Sequence, residues 1–327
     1  MQDRASRILQ AIWEPEFSEC SFGFRPGRSA HQALARLNQI IKVERTQWLV
    51  EADIKSFFDR VDHEWLMRFV AYRVGDSNLL RLIRRFLKAG VLEDGAYRVT
   101  EQGTPQGGLI SPVLANIYLH YVLDVWFERG FARQCQGEAY LVRYADDFVA
   151  CFKYEADAKR FQEQLAKRLT RFGLEVEPAK TSLLRFGDMA PVLCKREGLR
   201  RPATFDFLGF THYAAKSRGG RFVLGRKTQR ERVRKKLKAL RLRLVALRVQ
   251  GVRVMQDYVR QHLTGHIHYY GVTGNTRSLR QYVYRVRLLL FKWLNRRSQR
   301  RSLTWVRYGQ WVDQWFPRPR ILHSLRV

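Results

Sequence analysis

Residues 140–152 are YLVRYADDFVACF, a stretch in which one pair of adjacent carboxylates lies between two apolar and aromatic runs. The flanking Tyr, Val and Phe residues favour β-strands, so the pattern predicts a hairpin with Asp146 and Asp147 at its tip. A turn accounts for one aspartate, but two neighbouring carboxylates repel each other unless a cation or water compensates their charge. On this segment alone, a divalent-metal site and an ordinary polar turn both remain open.

A third carboxylate lies in a second predicted strand. Residues 47–54 alternate so that the even-numbered residues share one face and Asp53 lies on the other. A carboxylate near the end of an apolar strand is costly unless it is paired or metal-bound, although a backbone hydrogen bond at a strand end would also explain it. Sequence-distant carboxylates on two β elements are the pattern that a two-metal phosphoryl-transfer site requires.

Composition points to a polyanionic partner. The 327 residues include 60 Lys and Arg against 30 Asp and Glu, a net charge of +30. Such a charge favours nucleic acid, because Lys and Arg displace condensed counterions from phosphates. No apolar run approaches the roughly 20 residues that span a bilayer, and no signal-like start is visible. The 4 cysteines show no paired spacing, which argues against zinc and disulfides. We expect a cytoplasmic, nucleoid-associated protein with no membrane partner.

A strongly basic helix is predicted between Arg226 and Arg248. Apolar residues recur there at steps of three and four, and Glu231 is the sole acid in the range. A basic outer face favours a nucleic-acid surface over a generic solvated helix. Before it, Gly187–Pro202 predicts an irregular basic loop.

Six short blocks resemble, in order, the successive sequence blocks of reverse transcriptases: GFRPGRS (23–29), ADIKSFFD (52–59), TPQG (104–107), YADD (144–147), PAKT (178–181) and FLGF (207–210). More narrowly, the chain resembles the reverse transcriptase/maturase proteins encoded by bacterial group II introns. The segments YYGV (269–272), GN (274–275) and RRSQ (296–299) resemble the maturase-associated thumb region of that family. The resemblance covers nearly the whole chain.

The resemblance implies an α+β fold: a right-hand polymerase palm, in which helices back an antiparallel sheet, with partial fingers and an α-helical thumb. Family members carry a further N-terminal fingers segment before the first block, so we expect short fingers here. The implied division is partial fingers over 1–45, a palm with inserted fingers-side helices and hairpin over 46–215, a helical thumb/maturase (X) domain over 216–300, and a basic, aromatic tail over 301–327.

The resemblance also implies an activity, that of an RNA-directed DNA polymerase. Such a nucleotidyltransferase adds dNTPs to a primer 3′-hydroxyl by two-metal phosphoryl transfer with two Mg²⁺ ions, for which Mn²⁺ can substitute. Its implied partners are an RNA template or group II intron RNA, a DNA primer or target DNA, and dNTPs, with intron RNA binding serving splicing and retrohoming. The alternative is a maturase that binds RNA for splicing and whose polymerase activity is impaired by short fingers. A third possibility, a retron-type or diversity-generating lineage, is disfavoured by the thumb blocks.

The resemblance assigns roles to single residues near the predicted carboxylates. The catalytic and metal-binding set would be Asp53, Asp146 and Asp147. The nucleotide pocket would comprise the backbone near Ile54 and the side chains of Phe58, Gln106 and Lys180. Phe58 would be the gate that excludes a 2′-hydroxyl, Gln106 would lie beside the templating pair, and Lys180 would be a candidate proton donor near the triphosphate.

Two further sets of residues would hold the nucleic acid. Leu208 and Gly209 would belong to the primer grip. The template–primer backbone would be contacted by six basic residues in the first part of the predicted basic helix: Arg226, Lys227, Arg230, Arg234, Lys235 and Lys238.

Overall fold

The computed structural model of the chain describes residues 1–44, 46–88, 91–93, 96–98, 103, 108–217, 219–297 and 303–325, with 91–93 and 96–98 described by their backbone. The chain folds into two compact units. The first unit comprises Met1–Leu208 and Lys216–Val223, and the second comprises Gly209–Ala215 and Leu224–Arg326.

The first unit combines helices with an antiparallel sheet. Its helices are α1 (Gln2–Trp13), α2 (Ala30–Lys42), α3 (Phe57–Arg60), α4 (His63–Ala71), α5 (Ser77–Lys88), α6 (Ser111–Leu119), α7 (Glu155–Arg171) and α8 (Ala190–Arg196). Its strands are β1 (Trp48–Asp53), β2 (Val91–Glu93), β3 (Ala96–Arg98), β4 (Ala139–Tyr144), β5 (Asp147–Phe152), β6 (Ser182–Arg185) and β7 (Thr204–Phe207). Beyond α6 the chain continues in wider π-helical turns through His120–Asp124 and Trp126–Phe131.

The central sheet has the strand order β4-β5-β1-β6, and each neighbouring pair is antiparallel. Side chains of β1 alternate as predicted. Val50, Ala52 and Ile54 are buried in the main core, whereas Glu51 and Asp53 are half-buried on the opposite face. The apolar face therefore anchors the strand, and the acidic face is left available for chemistry.

Aromatic side chains fill the space between the sheet and the helices behind it. The ring of Phe161 on α7 lies 5.3 Å from that of Phe152 on β5 and 5.3 Å from that of Phe131 in the π-helical segment. Rings at these separations pack edge to face or tilted, which gives a rigid backing to the sheet. The predicted α+β architecture, an antiparallel sheet backed by helices, is confirmed.

The second unit is mainly helical. Its elements are β8 (Phe210–Lys216), β9 (Phe222–Thr228), α9 (Arg230–Leu247), α10 (Val252–Tyr270), α11 (Thr276–Leu294) and α12 (Trp305–Val312). The amphipathic prediction for α9 is confirmed, because Leu240, Leu244 and Leu247 are buried. No helix among the described residues is long and apolar enough to cross a membrane.

Two local predictions are corrected. The basic helix begins at Arg230 and not at Arg226, because strand β9 runs to Thr228 and Gln229 precedes the helix. The predicted loop Gly187–Pro202 contains the short helix α8. Its first turn holds a proline, and Ala190 and Cys194 are buried four residues apart. Burial of these two side chains stabilises the helix, although the composition of the segment is basic and irregular.

Candidate active site

The tight turn between β4 and β5 carries the aspartate pair. Ala145 and Asp146 form the turn, and Asp147 is the first residue of β5, paired with Tyr144. The predicted hairpin is confirmed, with Asp146 at its tip. Ala145 has φ +58°, in the left-handed region where residues other than glycine are strained. Such strain persists only where surrounding contacts hold the backbone in place.

Three carboxylates are gathered at one end of the sheet. Asp53 ends β1 directly opposite Asp147 in the β1–β5 ladder. Burial raises the pKa of Asp146 above its ordinary value, and the negative charge of Asp53 raises it further. The fold thus brings together the three acidic residues that the sequence singled out, although Asp53 lies more than 90 positions from the other two.

Lys180 lies at the same place. Its ammonium group forms an ion pair with Oδ2 of Asp53, and this hydrogen bond is the main cause of a raised Lys180 pKa. The backbone supports the contact, because the Glu177 amide donates a 2.8 Å hydrogen bond to the Asp53 carbonyl just before the turn Pro178–Lys180. The PAKT block is therefore next to Asp53.

The donor chemistry fits a hard divalent cation. Carboxylate oxygens are the ligands that Mg²⁺ prefers. One carboxylate oxygen of Asp53 already forms an ion pair with the ammonium group of Lys180. Among the residues that the structure describes, no three His, Cys, Asp or Glu side chains are arranged as a ready metal-binding group. A cation bound at this site would share Asp53 with Lys180, whose ion pair uses Oδ2 of that carboxylate.

Glu51 is an acidic neighbour that sequence patterns did not identify. Its Oε1 accepts a 3.2 Å hydrogen bond from the Asp206 amide, and burial raises its pKa to about 7. Two residues further along, the Leu208 amide donates to Oδ2 of Asp147 at 3.4 Å. Two carboxylates of the central sheet thus bind amides at the end of β7. The position of Glu51 on the same strand face as Asp53 was the available signal.

The structure describes three of the four residues predicted for the nucleotide pocket. Phe58 is half-buried in α3, with its ring 5.3 Å from Phe57 and 6.5 Å from Phe24, edge-on to both. Ile54 is buried and bridges to Val176. Gln106 lies outside the described residues.

Arg143 is a further residue beside the turn that sequence patterns did not identify. Its side chain is fully buried in β4, and its Nη1 donates a 2.9 Å hydrogen bond to the carbonyl of Ala145. An arginine within an otherwise apolar and aromatic strand was the only signal for it.

The basic residues of the second unit do not all lie on its surface. Lys227, Arg230, Arg234, Lys235 and Lys238 are exposed. Arg226 is only 2% exposed in β9, and burial lowers its pKa to about 10. A buried guanidinium does not suit the predicted contact with a nucleic-acid backbone, so that assignment is corrected for Arg226.

Two other features of the second unit involve residues that were predicted to hold nucleic acid. Gly209 has φ +78°, and its carbonyl accepts a 3.1 Å hydrogen bond from the Gln229 amide just before α9. A groove of about 450 Å³ runs between α9 and α11. It combines leucine side chains with basic ones: Leu237, Leu288, Leu289, Lys238, Arg241, Arg285 and Lys292.

Sequence comparisons place most of the chain in one family. A family model described as reverse transcriptase (RNA-dependent DNA polymerase) matches residues 1–212. Group II intron-encoded protein LtrA from Lactococcus lactis subsp. cremoris is 46% identical over 120 residues, which cover 37% of this chain and 20% of LtrA. Protein YkfC from Escherichia coli K12 is 36% identical over a match that covers 44% of this chain and 45% of YkfC. The match thus spans less than half of each relative's length.

Structural comparison gives the same answer for the fold. The apo telomerase from Candida tropicalis superposes with a TM-score of 0.51 at 12% identity, covering 95% of this chain and 52% of that chain. Likeness at such low identity concerns the fold alone. Because the family model covers well over half of the residues, the chain belongs to the reverse transcriptase (RNA-dependent DNA polymerase) family.

Proposed function

We propose that the protein is an RNA-directed DNA polymerase of the group II intron type, which adds dNTPs to a primer 3′-hydroxyl. The observation that carries this proposal is the gathering of Asp53, Asp146 and Asp147 at one sheet end, beside Lys180. Family membership and the similarity to LtrA support it. In this proposal residues 1–45 are partial fingers, 46–215 the palm, 216–300 the thumb/maturase (X) domain and 301–327 a basic, aromatic tail.

The carboxylates and Lys180 would act on the triphosphate. Asp53, Asp146 and Asp147 would hold two divalent cations, Mg²⁺ or its substitute Mn²⁺, which supply charge stabilisation at the attacking and leaving oxygens. The Lys180 ammonium would leave Asp53 for the triphosphate, where it would neutralise charge and give a proton to the departing pyrophosphate. The ion pair with Asp53 supports this role, because it places the positively charged, proton-bearing ammonium group beside the carboxylates.

Nucleotide choice would depend on residues next to this site. The backbone near Ile54 would approach the triphosphate, and Gln106 would line the pocket beside the templating pair. Phe58 would lie under the sugar and exclude a 2′-hydroxyl. The edge-on contacts of its ring with Phe24 and Phe57 support this role, because a gate must be held in one orientation.

The nucleic acid would be held by both units. Leu208 and Gly209 would grip the primer, and the Leu208–Asp147 hydrogen bond supports a link between this grip and the catalytic hairpin. The exposed residues Lys227, Arg230, Arg234, Lys235 and Lys238 would contact the backbone of an RNA template, intron RNA, DNA primer or target DNA. We also propose a cytoplasmic, nucleoid-associated location.

Primer extension tests the proposal. The purified chain is given an RNA template, a DNA primer, dNTPs and Mg²⁺, and Asp146→Asn is compared with the parent. We expect Asp146→Asn to lose extension by at least about 100-fold, because it removes a carboxylate that would hold a divalent cation at the reacting phosphate. Asp3→Asn, an exposed aspartate on α1, is the matched control and should extend normally. Equal extension by Asp146→Asn and the parent would contradict the carboxylate assignment.

A second candidate is a maturase that binds intron RNA for splicing without polymerising. The basic surface of α9 favours it, because this surface suits RNA whether or not the carboxylates react. Splicing of an intron RNA in the presence of Asp146→Asn separates the two functions. Full splicing help with no extension by either variant or parent would favour the maturase alone.

A further inference from the structure

Arg143 and Asp124 form an ion pair inside the first unit, with both side chains 0% exposed. Nε of Arg143 donates to Oδ1 of Asp124 at 2.7 Å, and Nη2 donates to Oδ2 at 2.5 Å. Two parallel charge-assisted hydrogen bonds fix the guanidinium plane as one bond cannot. A buried ion pair of this kind is often no more stable than two packed apolar side chains. Stability by itself therefore does not account for the pair.

The remaining donors of Arg143 point to the catalytic hairpin. Nη1 donates to the Ala145 carbonyl at 2.9 Å and to Oδ1 of Asn116 at 3.1 Å. Ala145 is the strained residue of the turn, and its carbonyl belongs to the peptide unit that leads into Asp146. The guanidinium thus holds the peptide group whose orientation determines where the Asp146 side chain lies.

The same group of polar side chains reaches the loop that contains Phe24. Nδ2 of Asn116 donates to the Gly23 carbonyl at 2.7 Å. A Cβ atom added to Gly23 would lie 2.4 Å from the Ala145 nitrogen, so the loop and the turn are in direct backbone contact. Phe24 follows, with its ring 6.5 Å from that of Phe58. The position of the predicted sugar gate is therefore coupled to the turn.

We propose that Arg143 is a positioning residue for nucleotide addition, and this inference rests on the proposed polymerase function. Held by Asp124, Arg143 fixes the Ala145 carbonyl and thereby holds Asp146 in place beside Asp53 and Asp147. Through Asn116 it also holds the loop that carries Phe24. Displacement of a catalytic group by about 1 Å costs on the order of 100-fold in rate, so a side chain outside the site can control turnover.

Paired apolar substitutions separate positioning from stability. Arg143→Met and Asp124→Leu each leave one buried charge without its partner, so each single variant should have a lowered Tm. The double variant leaves neither member of the pair as an unpaired buried charge, so its Tm should rise above that of each single variant. Its kcat for dNTP addition should nevertheless be about 100-fold lower, whereas its Kd for template–primer stays within about twofold. A double variant that regains kcat together with Tm would overturn the proposal.

Arg168→Met is the matched control. Arg168 donates to the carbonyls of Tyr121 and Val122, on the same π-helical segment as Asp124, and these hydrogen bonds do not involve the turn. Its substitution should lower Tm and leave kcat within about twofold of the parent. If kcat falls as far in Arg168→Met as in the double variant, loosening of this π-helical segment is sufficient to explain the loss of activity. That result would also overturn the proposal.

Amide hydrogen exchange tests positioning without any need for activity. In the double variant, the amides of residues 145–147 should exchange at least about tenfold faster than in the parent, while those of α7 exchange at the parent rate. Equal exchange at the turn would overturn the role of Arg143. Absence of primer extension by the parent would instead refute the polymerase function, so the two failures are distinguishable.

Discussion

Lys180 forms an ion pair with Asp53 at the end of β1, so one of the three carboxylates proposed to bind metal already has a cationic partner. The Lys180 side chain is 65% exposed and that of Asp53 is 23% exposed. Solvent screens such a pair, and it contributes little to stability. The pair and a divalent cation would compete for Oδ2 of Asp53, so the proposal predicts that Lys180 influences metal binding.

Removal of this cation should strengthen metal binding. In Lys180→Met the Asp53 carboxylate is free for Mn²⁺, and an exposed ion pair is worth at most about 1 kcal/mol. We expect Mn²⁺ to bind up to about fivefold more tightly in the absence of nucleotide, as measured by electron paramagnetic resonance. Lys55→Met, an exposed lysine on the following turn, should bind Mn²⁺ like the parent. Weaker Mn²⁺ binding by Lys180→Met would contradict the competition.

Replacement of Phe58 should relax sugar discrimination. Phe58→Val removes the ring that is proposed to meet a 2′-hydroxyl, so incorporation of ribonucleotides relative to deoxyribonucleotides should rise at least about tenfold. Single-nucleotide addition gives kcat/KM for each substrate. Tyr72→Ala, which removes an aromatic ring that is 73% exposed, is the control and should discriminate like the parent. Unchanged discrimination in Phe58→Val would remove Phe58 as the gate.

His266 should make the stability of the chain depend on pH. Burial, together with the positive charges of Lys236 and His262, lowers its pKa to about 3. Because the folded pKa is depressed from an ordinary value of 6.5, the stabilising contribution is complete above pH 6.5 and is lost as pH falls towards 3. Between these values the free energy of unfolding should fall by about 1.4 kcal/mol per pH unit.

Denaturation of the parent and of His266→Phe at about pH 7.5, 6, 5 and 4.5 measures this effect. Phenylalanine retains the ring that stacks 3.6 Å from Tyr282 but cannot be protonated. The stability of His266→Phe should therefore decline less on acidification than that of the parent. His268→Phe, at an exposed position, should follow the parent. Parallel curves for His266→Phe and the parent would exclude His266 as the source.

The groove between α9 and α11 should contribute to nucleic-acid affinity. Lys238 and Arg241 lie at its edge, so the double substitution to alanine should weaken binding of single-stranded RNA. The slope of log K against log salt should become shallower by about 0.7 for each phosphate that the variant no longer neutralises. Fluorescence anisotropy over a salt series measures this slope.

The buried Arg226 is the control for this salt series. Its guanidinium is withdrawn from solvent, so Arg226→Met should leave the salt slope as it is in the parent. An unchanged slope in the Lys238 and Arg241 double variant would indicate that RNA does not bind in this groove.

Sequence by itself determined the local elements and the family. The periodicity of these elements is visible in the sequence, because it involves residues that are close along the chain. This applies to the alternation along β1, to the hairpin around the aspartates and to the amphipathic helix α9. Six ordered blocks were enough to identify a reverse transcriptase. The helix α8 was missed because its composition is basic and irregular, and the burial of Ala190 and Cys194 that stabilises it depends on the rest of the fold. Gln106 stays a prediction.

Only the tertiary structure decided which groups meet. The pairs Asp53–Lys180 and Asp124–Arg143 join residues 127 and 19 positions apart, and no periodicity reports such contacts. It also decided that Arg226 is buried although its neighbours in the basic run are exposed. Burial and partner choice depend on how strands and helices pack, because a charge is withdrawn from water only where the rest of the fold surrounds it. The sequence therefore names the chemical groups of the site, and the fold sets their orientation.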